Sequence, residues 1–222
     1  MDVRLEASVG NNRVAISMCF VCLIGFLLVA LLRGCLGGID ANVNRWAATI
    51  HQDAFTSVAK LIADGFEATS LFALSLVIGV TLFLLKRRKK ALLLVLAMTG
   101  NTLILGALKM FVYSPRPLNG LMLETDSSFP SGHTTSTVVL FGLLAFFAWQ
   151  IWRSTRAKAV SVILVSSLSL LVGFSRIYLN VHWLTDVLGG YFLGALWLTF
   201  CIAIAQYLVN IYEKKLKKQL KG

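Results

Sequence analysis

Polar and apolar positions do not alternate along this chain; they segregate into long apolar runs separated by short polar connections. The runs are Ala15–Leu32, Ala68–Leu85, Ala91–Tyr113, His133–Trp152, Ala159–Leu179 and Leu184–Leu208. About 20 mostly apolar residues, each rising 1.5 Å along a helix, cross a bilayer. Only helices or closed barrels satisfy their own backbone polar groups in hydrocarbon. Runs of this length therefore predict an all-α polytopic protein with six transmembrane helices. Between the first two runs, Ile39, Val43, Trp46 and Ile50 recur at helical spacing with Asp40, Asn42, Asn44 and Arg45 between them. That pattern predicts a short helix within segment 39–56, lying in the outer interface and walling or roofing a site, although a plain amphipathic connector fits it equally. Asp64 and Glu67, just before the second run, read as a solvated helix end. Gly190 and Gly194 on the last run form a small-xxx-small pair suited to close helix packing.

Composition agrees with this reading. The 222 residues are 57% hydrophobic and 14% charged, against about 25% charged in soluble domains. One membrane domain over residues 1–222 is the simplest organisation. The formal net charge of +11 does not indicate nucleic acid, because the charge lies in loops rather than on a basic face of a soluble fold. Lys86–Lys90 fall between runs two and three, and Arg153, Arg156 and Lys158 between four and five. Lys214, Lys215, Lys217, Lys218 and Lys221 fill the tail 209–222, and Arg4 and Arg13 join them on the same face. The positive-inside rule makes that face cytoplasmic, with both termini there, in a plasma or inner membrane. The remaining basic residues, Arg33, Arg45, Lys60, Lys109, Arg116 and Arg176, belong to the outer half. Cys19, Cys22, Cys35 and Cys201 read as small packing residues, the Cys19/Cys22 pair lacking a second pair to complete a metal site. The first run is too long for a secretory signal and no A-x-A site follows it, so it reads as a retained anchor. Leu32-Arg33-Gly34-Cys35 is discounted as a lipoprotein cleavage box because of Arg33.

Three outer segments carry chemistry: Lys109–Pro117, Pro130–His133 and Ser175–Asp186. Topology assigned from loop charge alone brings all three to one membrane face, and ionisable groups gathered near a membrane mark a functional site. Lys109, Arg116 and Arg176 suit the equatorial oxygens of a phosphoryl group. Ser131 and Gly132 precede a helix, whose first N–H groups form an anion site, and His133 opens that helix. His182 and Asp186, four apart near a helix start, place the carboxylate on one ring nitrogen and leave the other free to attack phosphorus. Asp186 would fix the tautomer, and His133 would protonate the leaving oxygen. Taken singly, a histidine or arginine at a span end is an interfacial anchor, and His51 reads that way.

The three segments resemble the signature motifs of the type-2 phosphatidic acid phosphatase superfamily, K-x6-R-P, P-S-G-H and S-R-x5-H-x3-D, with every specified residue present. The resemblance extends from about residue 55 to 208, its motifs spanning 109–186. It implies a metal-independent lipid phosphatase without cofactors, acting at the extracytoplasmic face through a phosphohistidine. His182 is then the nucleophile, Asp186 its partner, His133 the acid, and Lys109, Arg116, Ser131, Gly132 and Arg176 the phosphate binders. The compact form is similar to bacterial phosphatidylglycerophosphate and undecaprenyl pyrophosphate phosphatases. The expected substrate is a membrane lipid, an isoprenoid diphosphate first, phosphatidylglycerophosphate or phosphatidic acid next. A lipid phosphotransferase fits the same motifs. A transporter of a phosphorylated lipid would need cations but not a His/Asp pair beside a second histidine. A haloperoxidase-type oxidase fits poorly with six spans, and a metal among His133, His182 and Asp186 would be opposed by the nearby cations.

Overall fold

The computed structural model of the protein describes residues 12–219. It holds eight helices: α1 (Asn12–Leu32), α2 (Gly37–Thr49), α3 (Asp53–Gly65), α4 (Ala68–Leu84), α5 (Arg88–Phe111), α6 (Gly132–Trp149), α7 (Thr155–Tyr178) and α8 (Leu184–Gln219). Among the described residues no strand occurs. Five helices, α1, α5, α6, α7 and α8, are long and apolar enough to cross a membrane, and α3 with α4 makes a sixth candidate bent by 50°.

All six apolar runs became helices, with ends shifted by a few residues. Segment 39–56, expected to hold one short helix, holds most of α2 and the start of α3. α2 ends at Thr49, and the chain turns through Ile50–Gln52 before α3. Phe55, Val58, Ala59 and Ile62 give α3 an apolar side, while Asp53 and Lys60 break the run that would have marked it as membrane-spanning. Asp64 and Glu67 are exposed at the α3/α4 bend, as a solvated helix end requires. α8 continues to Gln219, so most of the basic tail extends the last helix. Of the basic residues used to orient the chain, Arg4 and Lys221 lie outside the described residues, as do the side chains of Arg13, Lys214, Lys217 and Lys218.

α6 is the central helix: 56% of its span is buried, against 11% for α1. Leu71 of α4, Leu94, Ala97 and Met98 of α5, and Val139, Leu140, Leu143 and Phe147 of α6 form the main core. The outward faces of α1, α4, α5 and α7 carry Phe20, Val77, Leu96 and Leu164, all exposed, an apolar exterior matched to lipid rather than water. Inside, Asn101 donates to Ser136 at 2.9 Å, which satisfies a polar pair that would be costly in hydrocarbon.

α6 and α8 approach closely near the P-S-G-H segment, and Gly190 and Gly194 permit it. A Cβ at Gly190 would stand 2.8 Å from the Ser131 carbonyl oxygen, and one at Gly194 2.9 Å from that of Thr135. The obstructing atoms are backbone, so neither clash is relieved by a rotamer change. The first contact falls on Ser131, which ties this packing directly to the P-S-G-H segment.

Candidate active site

α5 ends with Lys109 in its last turn, and the chain then crosses this end of the helix bundle as loop 112–131. Serine hydroxyls shape that loop. Ser114 N donates to Ser127 Oγ at 3.0 Å, Ser127 Oγ to the Val112 carbonyl at 2.6 Å, and Ser128 N to the Ser114 carbonyl at 2.9 Å. Arg33, from the end of α1, donates to Ser114 Oγ. The result is a narrow fold-back that sets Arg116 beside Asp126.

Arg116 is the most heavily used donor of the site. Its Nε donates to the Asp126 carbonyl at 3.0 Å and its Nη2 to Asp126 Oδ1 at 2.5 Å. Its Nη1 donates to the Val181 carbonyl at 2.7 Å and lies 3.2 Å from His182 Nε2. A guanidinium has only donors, so His182 Nε2 is the acceptor here and the ring proton sits on Nδ1. Nδ1 lies 3.4 Å from Asp186 Oδ2, which makes the carboxylate its partner. The sequence pattern put His182 and Asp186 on one helix face. In fact His182 precedes α8 and Asp186 occupies its first turn, where Oδ2 also accepts from Trp183 N at 2.9 Å. The carboxylate thus serves the helix terminus and the imidazole together. Burial, followed by the charges of Arg116, Arg176 and Lys109, pushes the His182 imidazole well below its ordinary pKa. It is therefore neutral near pH 7, as a nucleophile requires.

Ser131 caps α6 and is fully buried. Its N–H donates to the Asp186 carbonyl at 3.0 Å and locks the P-S-G-H segment to α8, which leaves the anion site expected here to the N–H groups that follow it in α6. Ser131 Oγ accepts from Thr134 Oγ1 at 3.0 Å. His133 follows one residue into α6, buried, near the Ala63 carbonyl of α3, beside His182 and within range of the charges of Arg176 and Lys109. Arg176, near the end of α7, is 0% exposed, and its Nε and Nη1 have no partner among the described residues. Such a group is costly to bury. Unpartnered guanidinium N–H groups beside two histidines are donors suited to an anion.

Three acidic residues in the site were not picked out as functional by their sequence pattern. Glu124 pairs with Arg176 and lies 3.5 Å from Arg116 Nη2. Asp126 pairs with Lys109 and with Arg116. Burial alone would raise the Asp126 carboxyl, but hydrogen bonds and charge from Lys109 and Arg116 hold it down at about 2. These pairs consequently persist throughout the physiological pH range. Asp40 of α2 is the third. It is buried and accepts from Thr185 N at 3.0 Å and Thr185 Oγ1 at 2.7 Å, capping α8 from a distant element. The available signal for Glu124 and Asp126 was their spacing: two apart in an extended segment, they share a side. His51 stays outside the site, its Nε2 lying 2.7 Å from the Tyr178 carbonyl.

All three sequence segments therefore meet at one end of the bundle, where α5 and α7 finish and α6 and α8 begin. A family model described as the PAP2 superfamily matches residues 90–210, which include every one of these segments. The chain belongs to the PAP2 superfamily. It is 29% identical to phosphatidylglycerophosphatase B of Bacillus subtilis over 194 residues, 86% of this chain and 92% of the relative. It is 33% identical to an undecaprenyl-diphosphatase of Sulfolobus acidocaldarius over 129 residues, 54% of this chain and 57% of the relative. Its fold is similar to the crystal structure of a transmembrane PAP2-type phosphatidylglycerolphosphate phosphatase from Bacillus subtilis. That match has a TM-score of 0.73 at 28% identity and covers 90% of this chain and 96% of the other. With its apolar helices, this PAP2 protein is a multi-pass membrane protein of a lipid phosphatase family.

Proposed function

We propose that the protein hydrolyses the terminal phosphate of a membrane lipid phosphate or diphosphate through a phosphohistidine on His182, without a metal. The observation that carries this reading is the His182 ring, with Nδ1 toward Asp186 and Nε2 beside Arg116. The Nε2 lone pair attacks phosphorus, the bond from phosphorus to the leaving oxygen breaks, and His133 gives that oxygen its proton. Water then attacks the phosphoryl group, His133 takes the water's proton, and His182 and inorganic phosphate are released. Arg116, Arg176 and Lys109 hold the equatorial oxygens, where the transition-state charge is spread. Ser131 and Gly132 complete the cradle at the start of α6. A metal ion at His182 Nε2 would face the Arg116 guanidinium 3.2 Å away, which makes cation binding there unfavourable.

In this reading six spans cross the membrane, α3 and α4 forming one bent crossing, and residues 1–222 act as a single phosphatase domain. Basic residues of the α4/α5 and α6/α7 connections and the tail put both termini in the cytoplasm and the site on the outer face. The lipid enters sideways, its tails remaining in hydrocarbon. Among head groups, undecaprenyl pyrophosphate ranks first because its leaving group is a lipid monophosphate rather than an alkoxide. Phosphatidylglycerophosphate, favoured by the full-length relative, comes next.

Purified protein in mixed micelles, with chelator present and no gradient, is expected to release phosphate from lipid phosphates. The kcat/KM for the diphosphate should exceed those for phosphatidylglycerophosphate and phosphatidic acid. Equal or lower values would overturn the ranking, and no release from any of them would overturn the function. Phosphate appearing on an acceptor lipid instead of in water would identify a phosphotransferase.

A further inference from the structure

Glu124 and Asp126 occupy the cations that the phosphoryl group needs. Their four oxygens link Arg176, Arg116 and Lys109 in one chain: Glu124 Oε1 on Arg176, Glu124 Oε2 near Arg116, Asp126 Oδ1 on Arg116, and Asp126 Oδ2 on Lys109. Arg116 has little left to give, since its Nη1 already serves Val181 and His182. Phosphate oxygens and both carboxylates cannot share these donors at full strength. One set must yield.

The carboxylates are the set built to yield. Leu121 N is pinned to the Leu179 carbonyl and Ser128 N to that of Ser114. Between those pins, the one hydrogen bond from the backbone of residues 122–126 to a described residue runs to the Asp126 carbonyl from Arg116. The Asp126 side chain is 52% exposed, so water can receive it, whereas Arg176 is 0% exposed. A cleft of about 440 Å³, lined by Arg116, Glu124, Asp126 and Val181 among others, leaves room for the movement. Arg176 keeps Nε and Nη1 without a partner among the described residues, donors that an anion can take as the carboxylates depart.

Resting on the phosphatase reading above, we propose that Glu124 and Asp126 are specificity-determining residues that compete with the head group for the three cations and so reject phosphodiester lipids. A terminal phosphate carries about −1.5 to −2 charge near pH 7, matching the two carboxylates it replaces. A bilayer phosphodiester carries a single negative charge and cannot match two. The enzyme sits among a large excess of such phosphodiesters, and rejection of a wrong ligand needs a built-in opposing element. The carboxylate pair supplies it.

The test compares wild-type enzyme with Asp126→Asn, Glu124→Gln and the double variant, using phosphatidylglycerol as a phosphodiester competitor in mixed micelles. The double variant should show about tenfold stronger inhibition by phosphatidylglycerol and a KM lowered by about fivefold, the size of effect that one or two partly exposed ion pairs produce. Calorimetric titration with orthovanadate needs no turnover and should show tighter binding in the variants. Unchanged phosphatidylglycerol inhibition, or weaker vanadate binding, would overturn the proposal and make the carboxylates mere positioners of the cations. Wild-type enzyme that binds vanadate but cleaves no lipid phosphate would sink the phosphatase reading instead. Should the double variant fail to fold, Asp126→Asn, at the exposed position, decides the question with the same readouts.

Discussion

His182→Ala is expected to lose at least about 10⁴-fold in kcat while remaining folded, because it removes the atom that bonds to phosphorus and no neighbour can replace it. Arg116 has no lone pair to give, and the Asp186 carboxylate is held on the far side of the ring by Trp183 N, next to Nδ1 rather than Nε2. The imidazole sits in the connection just before α8 and not in the main core between α4, α5 and α6. The fold therefore tolerates its loss, and elution in detergent should match wild type. Phosphate release from a lipid phosphate checks this, and residual activity above about a hundredth of wild type would remove His182 from the nucleophile's role. Asp186→Asn should fall less, because it preserves shape but weakens the hold on the Nδ1 proton.

Arg176→Ala should lose about 10²- to 10³-fold in kcat, the cost of removing one fixed donor that stabilises transition-state charge. Arg176→Lys should recover only part, since an ammonium cannot reproduce the planar fork of donors. Burial sharpens the expectation. The Arg176 guanidinium is fully enclosed and leaves two nitrogens unpartnered, so its charge is poorly screened by water. Vanadate inhibition should weaken in parallel with kcat. A variant that keeps wild-type kcat and vanadate affinity would show that Arg176 serves the fold rather than the phosphoryl group.

What the sequence disclosed follows from the range over which each feature acts. The apolar runs marked the long helices because a bilayer imposes its requirement locally, on about 20 successive residues. The run starting at Ala15 and the helix starting at Asn12 differ only at a fraying end. α3 was missed because Asp53, Lys60 and Asp64 interrupt its apolar side, and its bend against α4 depends on how both pack. The pairing of His182 with Asp186 was legible because four residues separate them. Asp40 was not legible as a cap: its partner Thr185 lies 145 residues away, and no local pattern joins them. Glu124 and Asp126 stood near Arg116 in sequence, yet which cation each carboxylate meets depends on the fold-back set by Ser114, Ser127 and Ser128. The bond from Ser131 N to the Asp186 carbonyl was not legible for a similar reason. Helix termini offer free donors in general, but here α8 supplies an acceptor.

The covalent step on His182 is the centre of the account, and rapid quenching of purified enzyme with lipid phosphate carrying a labelled terminal phosphate tests it most directly. In a single turnover with chelator present, label should appear transiently on the protein in an acid-labile, alkali-stable bond, map to His182, and be absent from His182→Ala. Phosphate release without any protein-bound label, label that persists in His182→Ala, or label that forms only after a divalent metal is restored would contradict it.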